Sequence, residues 1–256
     1  MMALLEVNHV KKIYKAKLGA ETVALSDVHF SVEEGEFVAI MGESGSGKTT
    51  LLNILASLDV PTAGRVLVKG KDFSALKDAE RAVMRRENLG FIFQDFNLLD
   101  NFTVEDNIRL PLVLAGEDPA SMDEKVTPLA EQLGIGALLQ KYPYEISGGQ
   151  KQRTAIARAL VTKPQILLAD EPTGALDSRA ATRLMEQLCE IHRGGQTILM
   201  VTHSNVAASY AGRVMFIRDG EVFHQIYRGD MSRSQMLDRI CDAVTVLMRG
   251  GDESES

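Results

Sequence analysis

"GESGSGKTT", residues Gly42 to Thr50, sets three glycines, a lysine and two threonines between the apolar runs "FVAIM" and "LLNILASL". Flexible, charged chain between two pieces of core needs a reason, and phosphate supplies one. The stretch satisfies G-x-x-x-x-G-K-[ST] with Gly42, Gly47, Lys48 and Thr49. Between them, Glu43, Ser44, Gly45 and Ser46 allow the backbone to curl, so that N–H groups point inward at phosphate oxygens. Lys48 adds a fixed positive charge for the β- and γ-phosphates, the Thr49 hydroxyl is a ligand for Mg²⁺, and Thr50 closes the cradle. A glycine turn matching this pattern by chance is expected in roughly one chain of this length in a hundred. A strand before it and a helix start after it narrow that further.

The flanks read as layers of strand and helix. "LLEVNHV" and "VALSDVHFSV" alternate as strands do, with a turn at Glu33 to Phe37. "EFVAIMG" is a short buried strand, "KTTLLNILASL" a helix and "GRVLVKG" another strand. "LGFIFQ", "PQILLAD" and "QTILMVTH" are compact apolar runs expected as central strands covered on both faces. The helical stretch "DSRAATRLMEQLCEIHR", closed by Gly194 and Gly195, separates the last two. Strand, helix, strand at this spacing predicts parallel α/β layers. "RVMFIRDGEVFHQI" predicts a hairpin turning at Asp219-Gly220. From about Leu99 the chain changes to helical periodicity, with breaks expected at Pro111, Pro119 and Gly134, which marks a helical subdomain inserted into the core. Near the end, Met236, Ile240, Val244 and Leu247 fall on one face of a docked helix, and the tail "GGDESES" is expected to be disordered.

Two acidic residues and two others complete a chemistry. In "ILLADEPTGALD", Asp170 ends a buried apolar strand, where a carboxylate needs a partner, and Mg²⁺ reached through water is a suitable one. Glu171 follows at once and projects toward the γ-phosphate as a candidate general base for the attacking water. Gln94, closing "GFIFQ", is placed to reach Mg²⁺ or the lytic water, and His203, closing "ILMVTH", to contact the γ-phosphate. An N/T-K-x-D segment for reading guanine is absent.

"EISGGQKQRTAIARAL" (Glu145 to Leu160) is a polar turn opening a second helix. Ser147, Gly148, Gly149 and Gln150 there form another anion-binding helix start. One triphosphate already has a full cradle. A dimer in which each such turn covers the other subunit's nucleotide accounts for both. In order after the phosphate loop and Gln94, and just before "LLADEP", this segment makes the chain resemble the ATP-binding-cassette ATPases from Leu4 to about Arg228. The resemblance implies an α/β P-loop NTPase fold with an antiparallel β subdomain and an inserted helical subdomain at about 99–160. The ATPase domain would fill residues 1–228, leaving 229–256 for a helix and acidic tail. It implies ATP and Mg²⁺ as ligands, Thr49, Gln94 and Asp170 holding the metal, and Lys48, Gln94, Glu171 and His203 as catalytic residues. Tyr14 matches the aromatic that stacks on adenine, and Asp177 in "GALD" falls at the dimer seam. Ile146 stands where Leu is commoner, and Ser204 where Asp is common.

More finely, "GFIFQDFNLLDNFTVEDNI", "DEPTGALDS" and "VAASYAGRVMFIRDG" resemble the bacitracin-type antimicrobial-peptide transporters, within a clan that includes macrolide exporters and lipoprotein-release ATPases. That implies an integral-membrane permease bound by a homodimer of this ATPase on the cytoplasmic side of the cell membrane, often with a sensor histidine kinase. The alternatives are a lipoprotein-release or macrolide-type exporter, or a cassette ATPase not tied to transport.

Composition is compatible. The 256 residues are 45% hydrophobic and carry a formal net charge of −7 with no basic stripe, which disfavours a nucleic-acid partner. "VMRRE" at Val83 to Glu87 reads as a solvated helix face. Two distant cysteines exclude a disulfide framework. No run approaches the ~20 apolar residues of a membrane span, and "MMALLEVNHVKKIY" does not read as a signal peptide.

Overall fold

The computed structural model describes residues 3–15 and 21–251; the tail expected to be disordered lies, from residue 252 on, outside them. Among the described residues ten strands form one sheet: β1 (Leu5–Lys15), β2 (Glu21–Val32), β3 (Phe37–Met41), β4 (Ala63–Val68), β5 (Lys71–Asp72), β6 (Leu89–Ile92), β7 (Ile166–Asp170), β8 (Thr197–Val201), β9 (Arg213–Arg218) and β10 (Glu221–Tyr227). Their order is β5-β4-β1-β2-β10-β9-β3-β8-β7-β6. β6, β7, β8, β3 and β9 are parallel, whereas β1, β2, β4 and β5 pair antiparallel. β10 joins the two groups, antiparallel to β9 and paired with β2 at Glu221 and Asp27. Among the described residues the α-helices are α1 (Lys48–Leu55), α2 (Asp78–Asn88), α3 (Val104–Ala115), α4 (Pro119–Gln132), α5 (Gly148–Leu160), α6 (Ser178–Arg193), α7 (Asn205–Ala208) and α8 (Arg233–Gly251).

The unbroken apolar runs have a simple cause: successive residues feed two different cores. Phe37, Ala39 and Met41 of β3, Leu167 and Ala169 of β7, and Ile198 and Met200 of β8 pack into one cluster with α3 to α6 and α8. Val38 and Ile40, Ile166 and Leu168, and Leu199 and Val201 pack into the other, with α1, β1, β2 and β4. A strand covered on both faces has no polar face to show.

In the helical region the structure departs from expectation at Pro111, which lies inside α3 and does not end it. Val104, Ile108 and Leu112 of α3 are fully buried. At about 1.5–3 kcal/mol each, the three together exceed the ~3 kcal/mol cost of an internal proline. Pro119 instead opens α4 after the Asp118 cap, and Gly134, at φ 65°, follows its end. Asn107, buried on α3, was not anticipated: its amide bonds the backbone of Leu99, Phe102 and Thr103 and so shapes the loop entering the helix. α5 packs on α3 at one side and β6 at the other, joining the helical region to the sheet.

α2 has no buried residue, as "VMRRE" predicts, although Arg85 donates to the Ser57 carbonyl. The hairpin turns at Asp219 and Gly220, with φ of 51° and 76°. α8 docks through Met236 and Ile240, both buried, and Val244 packs partly against the same core; the Leu247 side chain lies outside the description. Among the described residues no helix is long and apolar enough to cross a membrane.

Candidate functional site

Val201 at the end of β8 pairs with Ile40 of β3 on one side and Asp170 of β7 on the other. The phosphate loop and the acidic pair therefore leave the sheet at one level, beyond the carboxyl ends of the parallel strands, where ligands of open α/β sheets bind. There a cavity of about 430 Å³ is lined by Ser44, Gly45, Gly47, Lys48, Thr49, Thr50, Gln94, Asp170, Glu171 and His203, with Thr22, Val23 and Ala24 of β2 forming its other wall. The β2 wall was not foreseen, because alternation in "ETVALSDV" reads only as strand.

Gly42, Glu43 and Ser46 shape this cavity without lining it. The Lys48 ammonium donates to the Gly42 and Glu43 carbonyls at 2.8 and 2.6 Å. Desolvation lowers its pKa, opposed by the charges of Glu171, Asp170 and Glu43. Gly47 caps α1 at φ 102°, and a Cβ there would lie 2.5 Å from the Ala24 carbonyl oxygen. Neither the φ nor the space admits a side chain. Gly47→Ala is therefore expected to weaken ATP binding by at least about tenfold, since the first N–H groups of α1 would be re-aimed. A titration with a fluorescent ATP analogue checks this, and parental affinity would show that the loop tolerates the shift.

On the acidic side, burial raises the Asp170 pKa, the charge of Glu171 raises it further, and Lys48 offsets part of this. Such a carboxylate gains from a nearby cation. Glu171 adopts φ 44°, uncommon for a non-glycine residue, and its N–H donates to the Val201 carbonyl at 2.9 Å. One carboxylate oxygen lies 2.8 Å from His203 Nδ1, and the other accepts from the Thr202 hydroxyl at 3.1 Å. Glu171 and His203, expected separately at the γ-phosphate, thus touch each other. Gln94 stands two residues beyond β6, which ends at Ile92 and not at Gln94 as expected, and its side chain lies beside Gly174. Thr49, Gln94 and Asp170 offer hydroxyl, amide and carboxylate oxygens at this cavity. That donor set fits Mg²⁺, which takes one or two carboxylates and completes its shell with phosphate and water.

Ser147 to Gly149 line a different cavity, of about 350 Å³, together with Leu176, Asp177 and Arg183. Ser147 caps α5 in a reciprocal box with Gln150: its N–H donates to the Gln150 amide at 2.8 Å, and its hydroxyl accepts from the Gln150 N–H at 3.4 Å. Asp177 caps α6, and the N–H groups of Ala180 and then Arg179 hold its carboxyl below the usual range. Within one chain, then, the signature turn, Ser147 to Gln150, and the phosphate loop open separate spaces. Tyr14 is 42% exposed and does not line the cavity of the phosphate loop. Its hydroxyl donates to Asp59 at 2.8 Å, and Lys12 sits 4.9 Å from the ring centre. Burial, followed by the Asp59 bond, raises its pKa.

The geometry has counterparts among known proteins. A family model described as ABC transporter matches residues 25–174. The chain is 50% identical over 256 residues to the ABC transporter ATP-binding protein YxdL of Bacillus subtilis, covering 100% of this chain and 98% of that one. It is 47% identical over 255 residues to the bacitracin export ATP-binding protein BceA of Halalkalibacterium halodurans, covering 99% and 100%. A solved dimeric structure of the ABC transporter cassette MJ0796 superposes with a TM-score of 0.80 at 37% identity, covering 87% of this chain and 98% of that one. The same cassette in a dimeric post-hydrolysis state bound to ADP and Pi matches equally well.

Proposed function

The chain belongs to the ABC transporter family, and on that premise we propose that Lys48, Thr49, Gln94, Asp170, Glu171 and His203 are the residues with which it hydrolyses ATP to drive a separate permease. The observation carrying this reading is their convergence on one cavity at the strand ends. ATP binds there with its phosphates against the start of α1. Thr49, Asp170 and Gln94 hold Mg²⁺, which neutralises charge on the β- and γ-phosphates when bound. Lys48 leaves the Gly42 and Glu43 carbonyls for the phosphates, Glu171 accepts the proton of the attacking water, and His203 turns from Glu171 to the γ-phosphate. His203 has the freedom to do so, its side chain being 72% exposed against 12% for Glu171. Tyr14 stacks on adenine. Ser147, Gly148, Gly149 and Gln150 cap the nucleotide of the second subunit, with Asp177 at the seam.

The similarity to BceA extends over nearly the full length of both chains, which supports defence against a cell-wall-directed peptide as the transporter's task. In that setting the ATPase is held at the cytoplasmic face of the cell membrane by its permease, with a sensor histidine kinase as a further partner.

The permease needs a surface that both lobes share. A groove of about 270 Å³ runs between Phe91, Phe93 and Asn97 on one side and Leu110, Pro111 and Arg158 on the other. Phe96, next to Asn97, lies outside this groove, near Gly148. Arg158 donates to the Phe96 and Asn97 carbonyls at 2.8 and 2.5 Å and so ties this segment to α5. Phe93→Asp and Leu110→Asp are expected to abolish co-purification of the permease while ATP affinity and thermal stability stay within about 1 kcal/mol of the parent, as for partly exposed positions. Retained co-purification would place the permease elsewhere.

A further inference from the structure

The geometry points to Thr202 as a positioning residue that keeps the Glu171 carboxylate aimed at the water while His203 moves. This rests on the reading of Glu171 as the general base. Thr202 follows β8 directly and is fully buried, whereas its neighbour His203 is largely exposed. A buried hydroxyl must be hydrogen-bonded, and this one is engaged twice. It donates to Glu171 at 3.1 Å and accepts from the Ser204 N–H at 3.0 Å. The Thr202 N–H in turn donates to the Ile40 carbonyl at 3.1 Å, fastening the residue to the strand that leads into the phosphate loop.

The two partners of Glu171 therefore differ in kind. The His203 ring lies on the outside and is free to rotate away from its carboxylate oxygen. Thr202 is fixed by core packing and by three hydrogen bonds of its own. When His203 leaves for the γ-phosphate, one Glu171 oxygen is freed for the water, and the other stays pinned. A carboxylate lacking that pin would rotate about its side-chain torsions, on a backbone that already holds an uncommon φ of 44°. Proton abstraction depends on near-attack geometry, so misplacement on the scale of 1 Å costs about 10²-fold. Thr202 and Ser204 also share the turn that carries His203, so a single hydroxyl organises base and histidine together.

The test is steady-state ATP hydrolysis by the full chain with Thr202 replaced by Val, which keeps the shape and removes the hydroxyl, and by Ser, which keeps the hydroxyl. Thr202→Val is expected to lower kcat by about 10- to 100-fold with KM and ATP affinity unchanged, and Thr202→Ser to stay close to the parent. Combined with Glu171→Gln, Thr202→Val should add nothing, because residues acting through one group are not additive. If the valine variant fails to fold, Thr202→Cys, with only a weak donor, carries the same comparison. Parental kcat in Thr202→Val, or its full loss repeated on top of Glu171→Gln, overturns the positioning role. Parental turnover in Glu171→Gln alone would instead overturn the reading of Glu171, so the two failures are distinct.

Discussion

Glu171→Gln is expected to bind ATP as tightly as the parent chain and to hydrolyse it about 10²–10⁴-fold more slowly, the loss typical of a missing general base. The substitution preserves size, and its amide still accepts from the Thr202 hydroxyl 3.1 Å away in the parent. What it loses is proton affinity. Lys48→Ala provides the contrast. It removes a charge-assisted phosphate contact from a partly desolvated position, and so should weaken ATP binding itself. Measuring nucleotide affinity and single-turnover hydrolysis in both variants separates the two roles. Parental hydrolysis by Glu171→Gln would remove Glu171 from the chemistry.

The second large effect is recovery of activity from two dead chains. Lys48 and Ser147 line different cavities of one chain, and a related cassette forms dimers in its solved structure. If each site combines the phosphate loop of one subunit with the signature turn of the other, a mixed dimer of Lys48→Ala and Ser147→Arg has one site with both lesions and one with none. Random pairing makes half the dimers mixed, so about a quarter of parental ATPase activity should return for independent sites. Sites built within one chain would each carry a lesion, and mixing would restore nothing. The same arrangement makes pairing depend on the triphosphate, because ligand bound only in the dimer stabilises it. Glu171→Gln should elute as a dimer with ATP and Mg²⁺ and as a monomer with ADP.

Much of this was legible in the chain itself, for reasons that are local. The phosphate loop is readable because a tight anion cradle needs small residues at set spacings, with strand before and helix after, and these are properties of a few consecutive residues. That Asp170 and Glu171 would reach the cavity was readable because a carboxylate pair closing an apolar run has no place in a core unless something cationic meets it. The central strands were readable from unbroken apolar runs, and Asp219-Gly220 from the positive φ values that such a hairpin demands.

What escaped depends on chain folded from far away. Pro111 looked like a helix end because its cost is local, while the compensating burial of Val104, Ile108 and Leu112 comes from packing that no short window contains. Thr22 to Ala24 became a wall of the candidate cavity only because β2 lies beside the loop in space. The approach of Thr202 and His203 to Glu171 joins two strand ends 31 and 32 residues apart, through the pairing of β7 with β8. The sequence by itself singled out the groups proposed for the chemistry, since reactivity resides in residue type and immediate neighbours. Only the tertiary structure decided which of them touch, which are pinned and which are free to move, because hydrogen-bond partnership and burial are set by the packing of distant segments.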